Sequence, residues 1–126
     1  MKIFWLVIAL CLTALSLQAK NLEGTYHANG WDPYTKTSYD GIFTISHVKD
    51  KVYTCKWSLT DGEDYDGTCL LNGNQLSIIF AGESIQLVQA QYIGLCVYTV
   101  TPNALEGQWI LLNQKLIGTE KMTRTH

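Results

Sequence analysis

At five places near the start of a β-forming run, the chain has an apolar or aromatic residue, any residue, then glycine. The copies are Leu22-Glu23-Gly24, Tyr39-Asp40-Gly41, Tyr65-Asp66-Gly67, Leu105-Glu106-Gly107 and Leu116-Ile117-Gly118. A glycine inside a strand costs stability unless it relieves a bend or lets another backbone or ring come close. Five of them predict strongly curved strands, the curvature a small closed barrel demands.

The runs between these glycines are short and carry no apolar face of helical period, which indicates an all-β domain. Strands are expected at residues 22–29, 38–47, 52–59, 68–71, 75–81, 94–101, 105–112 and 115–122, with 84–92 either a further strand or an irregular crossing. Val52 to Leu59 alternates most regularly: Tyr53, Cys55, Trp57 and Leu59 share one side, and Thr54, Lys56 and Ser58 the other. Such alternation needs one wet face and one packed face. Asn72-Gly73 is a type I′ hairpin signal. Sequential strands joined by short turns are best closed on themselves, because closure removes reactive edges. The expected fold is a small antiparallel up-and-down β-barrel of about eight strands; a two-sheet sandwich is the alternative.

Residues 1–19 read as a secretory signal peptide: Lys2, the apolar run Ile3 to Leu17, then Gln18-Ala19. The run is shorter than the roughly 20 residues of a membrane span, so no retained transmembrane segment is expected. Residues 20–126 then form one exported domain, periplasmic or extracellular. The chain's formal net charge is −2 and it has no basic stripe, which argues against nucleic acid as a partner.

Cys55, Cys69 and Cys96 remain after the signal, at spacings of 14 and 27 that do not suit a compact zinc site. An odd number leaves at least one thiol unpaired. Cys55–Cys69 is the candidate disulfide, set against three reduced cysteines. Cys96, between Leu95 and Val97, has the surroundings of an inert buried thiol. A free thiol would permit a covalent dimer; otherwise a monomer or weak dimer is expected.

Asp61 to Gly67 holds the densest acidic cluster. Its spacing fails the calcium-loop pattern, with Asp66 where glycine is needed and Asn72 where a bidentate Glu is needed, so it reads as a solvated turn. His27 and His47 lack a third ligand, and neither a metal nor another cofactor is implied. No catalytic set emerges. Glu120 is the one carboxylate in a largely apolar run, with Glu106 next. Strand parity puts Glu120 with Leu116 and Met122. On an interior face it either orients a ligand or closes the barrel end by hydrogen bonds. Among the aromatics, Tyr53, Trp57, Tyr98 and Trp109 point inward by alternation. Trp31 and Tyr34 fall in an expected loop beside Asp32 and Pro33, where they either form a binding surface or cap the open end.

Gly24-Thr25-Tyr26, Tyr39-x-Gly41, Trp57, Tyr65-x-Gly67-Thr68, Leu76-Ser77-Ile78, Tyr98, Leu105-x-Gly107-x-Trp109 and Gly118-Thr119-Glu120 together resemble small exported bacterial proteins of no assigned activity. Their layout is similar to the calycin-type meander barrels, the lipocalins and avidins, with Tyr26 at the position of an early tryptophan. The resemblance implies the fold; the loop pair Trp31 and Tyr34, with Glu120, and the lack of a catalytic set lead to the expectation of a non-enzymatic exported barrel that binds a small ligand or protein partner at one end. Inhibition of a lysozyme or protease is an alternative by analogy of fold. A hydrolase or isomerase using Glu120 or Glu106, and a structural envelope component, are the others.

Overall fold

The computed structural model describes residues 22–83 and 91–125. Eight strands follow in chain order: β1 (Gly24–Asp32), β2 (Thr37–Lys49), β3 (Val52–Leu59), β4 (Asp64–Asn72), β5 (Gln75–Glu83), β6 (Gln91–Val100), β7 (Ala104–Leu111) and β8 (Gly118–Arg124). Each pairs antiparallel with the next, and β8 pairs with β1, so the sheet is a closed barrel. Closure excludes the sandwich. The expected signal segment lies outside the described residues, and so does most of 84–92; Gln91 and Tyr92 open β6.

Among the boundaries that differ from expectation, three change where candidate residues lie. Gly30 and Trp31 belong to β1, which runs on to Asp32 before the turn at Pro33. β4 begins at Asp64, so half of the acidic stretch is strand and only Thr60 to Gly62 turns the chain. Ser58 Oγ donates to Asp64 across that hairpin at 2.9 Å. β8 starts at Gly118, which leaves Leu116 exposed on the approach to the strand, away from Glu120 and Met122 inside. Polarity masks strand propensity at 64–66, where register with β3 decides the outcome.

Alternation builds the core. Tyr26, Ala28, Phe43, Ile45, Tyr53, Cys55, Trp57, Cys69, Leu71, Leu76, Ile78, Tyr98, Leu105 and Met122 are buried in one cluster. Fully burying a side chain such as Phe43 or Ile78 contributes about 1.5–3 kcal/mol. One end is sealed by this cluster and by a polar latch. Tyr26 donates its hydroxyl to the Leu22 carbonyl at 2.8 Å, and Arg124 donates to the Tyr26 oxygen at 2.7 Å. The same guanidinium lies 4.8 Å from the Tyr26 ring centre, a cation–π distance.

The recurring glycines sit where strands crowd. A Cβ on Gly107 would stand 1.9 Å from the Val97 carbonyl oxygen, and one on Gly41 would stand 2.4 Å from the Ser58 carbonyl oxygen. Gly73, with φ of 62°, makes the expected tight hairpin between β4 and β5. Outside, Ile79, Leu95 and Ile110 are cross-strand neighbours and exposed, so the outer wall is not uniformly polar.

Cys55, Cys69 and Cys96 are buried free thiols. Register explains why Cys55 and Cys69 do not face each other directly: Cys55 opposes Gly67, and Cys69 opposes Tyr53. They are diagonal neighbours, and the nearby Cys69 thiol is the leading cause that pushes the Cys55 thiol up.

Candidate functional site

Among the described residues, the other barrel end is open. A cavity of about 700 Å³ descends from the β1–β2, β3–β4 and β7–β8 connections into the lumen. Its walls carry Tyr34, Tyr39, Trp57, Tyr65, Tyr98 and Trp109, and Glu120 lies at its floor.

Glu120 is only 5% exposed. Its register partners on both sides are glycines, Gly30 on β1 and Gly107 on β7. With no side chains there, residues one strand further away can reach over. Tyr39 of β2 is the register partner of Gly30, and Tyr98 of β6 is the partner of Gly107. Tyr39 donates to Glu120 Oε2 at 2.6 Å, and Tyr98 donates to Oε1 at 2.7 Å. Trp57 adds its indole N–H to Oε1 at 3.0 Å from across the lumen. Three neutral donors therefore hold one buried carboxylate.

Burial pushes the Glu120 carboxyl above its ordinary range, and the bonds from Tyr39, Tyr98 and Trp57 pull it back part of the way. Burial also raises the Tyr39 and Tyr98 hydroxyls, and the Glu120 charge beside them raises them further. The Trp109 indole acts in the opposite sense on Tyr39. Even so, its buried Nε1–H reaches no acceptor in hydrogen-bonding geometry. Cys96 also lines the lumen. Burial is the main reason its thiol is raised, which makes it a poor nucleophile.

Glycines also frame the aromatic walls. Tyr39, Tyr65, Phe80 and Trp109 each cover a glycine at the matching register position: Gly30, Gly82, Gly94 and Gly118. A Cβ on any of the four would come within 2.0–2.3 Å of the ring. The rings lie against the wall instead of filling the lumen, which keeps this end hollow.

The structure brings two of the three sequence-predicted site residues to the cavity, Tyr34 and Glu120. Trp31 stands apart, 44% exposed on β1 and not among the lining residues. Glu106 is exposed on β7 and opposes Lys121. His27 lies 3.5 Å from Asp40, and the His47 ring contacts the Asp50 carbonyl oxygen at 2.7 Å. In the acidic turn, Asp61 accepts the Glu63 backbone N–H, and Glu63 accepts the Tyr65 hydroxyl; each carboxylate is engaged separately. Sequence reasoning missed Tyr39, Tyr65 and Phe80 as wall residues. Extending the parity of Gly67, Cys69 and Leu71 back to Tyr65 would have placed that ring inside.

No protein-family model matches the sequence, and no curated protein matches it. Solved structures do match in shape. A redesigned β-barrel superposes with a TM-score of 0.70 at 14% identity, over 86% of this chain and 96% of that one. Another, mFAP1 bound to DFHBI, gives 0.70 at 13% identity over 85% and 98%. A de novo designed fluorescence-activating β-barrel gives 0.61 at 12% identity over 85% and 96%. At these identities the likeness is one of fold.

Proposed function

We propose that this chain is a non-enzymatic, exported binding protein that takes a small molecule into the open end of its barrel. The observation that carries this reading is the cavity of about 700 Å³, walled by aromatic rings around one hydrogen-bonded carboxylate. Ligand sites are of about this size, roughly 300–1,000 Å³, and combine apolar walls with few oriented polar groups. Tyr34 and Glu120 are the sequence-predicted residues that would touch the ligand; Trp31 would serve at most from outside the mouth. A barrel of like shape, mFAP1, is bound to DFHBI, which supports the capacity of the architecture to hold a small molecule. Export rests on the character of residues 1–19.

Binding is favoured over catalysis because Glu120 stands among neutral donors, without a second group of opposed pKa to share acid and base roles. The test is a titration with a broad panel of small aromatic, cationic and anionic compounds, following tryptophan fluorescence. Trp57 and Trp109 line the cavity, so occupancy should change their emission. Silence across the panel would remove the proposal.

A further inference from the structure

We infer that the ligand of this cavity is an organic cation, an ammonium group or a positively charged aromatic. This rests on the cavity being the binding site. Five carboxylates line it: Asp32, Asp40, Asp61 and Glu63 towards the mouth, and Glu120 at the floor. No Lys, Arg or His is among the described lining residues. Lys36 and Lys115 belong to connections at this end but are not part of the lining. Between Lys56 and Lys115 the sequence has no Lys, Arg or His at all, so β4 to β7 and every connection between them bring no positive charge.

Two further features point the same way. Seven lining side chains are Tyr or Trp, whose ring faces attract cations by their quadrupoles, with Trp the strongest. Glu120 is a buried carboxylate whose three partners are all neutral. Burying such a charge without an opposite one is costly, and a cation over the floor would offset that cost. Asp40 has a cationic partner only if His27 is protonated, and it also accepts from Thr60 at 3.0 Å. An anion entering this site meets five like charges. A neutral molecule gains apolar burial alone.

The experiment uses the intact chain and three probes: the isosteres phenyltrimethylammonium and uncharged tert-butylbenzene, and the related anion para-tert-butylbenzoate. Affinities are read from tryptophan fluorescence. The expected order is cation, then neutral, then anion, with the cation about tenfold tighter than the neutral isostere. Glu120→Gln should cost the cation about tenfold and leave tert-butylbenzene unchanged. If that variant fails to fold, Asp61→Asn with Glu63→Gln at the mouth should weaken the cation alone. Neutral binding equal to or tighter than cation binding overturns this inference while leaving the small-ligand reading standing. Failure of all three probes together with the broad panel overturns both.

Discussion

Tyr39 and Glu120 lie on strands that are not neighbours, yet their side chains hydrogen-bond at 2.6 Å because Gly30 occupies the strand between them. Tyr98 reaches the same carboxylate from the other side across Gly107. The two glycines therefore have different neighbours to lose. A Cβ at position 30 meets the Tyr39 ring at 2.3 Å, and a side chain can swing away. At position 107 it meets the Val97 carbonyl oxygen at 1.9 Å, and backbone cannot move without breaking the ladder.

Gly30→Ala should therefore destabilise by about 1–3 kcal/mol, the usual range for overpacking, and displace the Tyr39 hydroxyl from Glu120. Gly107→Ala should cost more. Urea denaturation of both variants checks the order; equal costs would mean that the Val97 carbonyl yields as easily as a side chain.

Glu120 gives the protein a pH dependence of definite sign. Its carboxyl is raised in the folded state, so the folded chain holds that proton at a pH where the unfolded chain has released it. The associated stability is fully present below the unfolded value, about 4.3, and is lost as pH rises through the folded value. The facing groups, Tyr39 on β2, Trp57 on β3 and Tyr98 with Cys96 on β6, are neutral across that window. Glu120→Gln removes the proton exchange. Its stability relative to the parent should increase with pH across this interval and then level off, measured by denaturant unfolding at a series of pH values. A difference that shrinks as pH rises would contradict the assignment.

Much of the barrel was legible because it depends on local pattern. Alternation at Val52–Leu59 and the Asn72-Gly73 hairpin fix strand parity within a few residues, and register then follows from neighbours. The inward row Tyr53, Cys55 and Trp57 came directly from that parity. The site was less legible because it is made across strands. Glu120 stood out as a carboxylate in apolar company, but nothing local links it to Tyr39, 81 residues away. Its partners depend on which glycines oppose which rings, and that requires the register of five strands at once. Trp31 was misplaced for the opposite reason: Asp32-Pro33 signals a turn, and β1 continues right up to it.

The three buried thiols should resist alkylation in the folded protein. Burial raises Cys96, and for Cys55 the nearby Cys69 thiol comes first and burial second; Cys69 is as deeply buried as Cys96. Thiolates are the reactive form, so Cys55, Cys69 and Cys96 should react with iodoacetamide only as fast as the barrel opens. Peptide mass mapping with and without denaturant reads this directly. Rapid labelling of Cys96 under native conditions would show that the cavity admits the reagent. A Cys55–Cys69 pair that stays unlabelled in denaturant until reductant is added would reveal a bridge.

Removing single donors from Glu120 ranks them by how water can replace them. Tyr98 is buried beside the floor, 1% exposed. Tyr39 is part-buried and lines the cavity, so a water can take the place of its hydroxyl. A hydrogen bond to a charged group contributes roughly 1.5–3 kcal/mol when its loss leaves the charge unsatisfied. Tyr98→Phe should cost an amount in that range at neutral pH, and Tyr39→Phe clearly less. Both bonds lower the Glu120 carboxyl, so each variant should also push it higher and extend the pH interval over which stability falls. Protonation of Glu120 relieves the deficit, so the Tyr98→Phe penalty should shrink on acidification. A penalty that stays constant from acid to neutral pH would mean that Tyr98 contributes packing, with its hydroxyl irrelevant to the carboxylate.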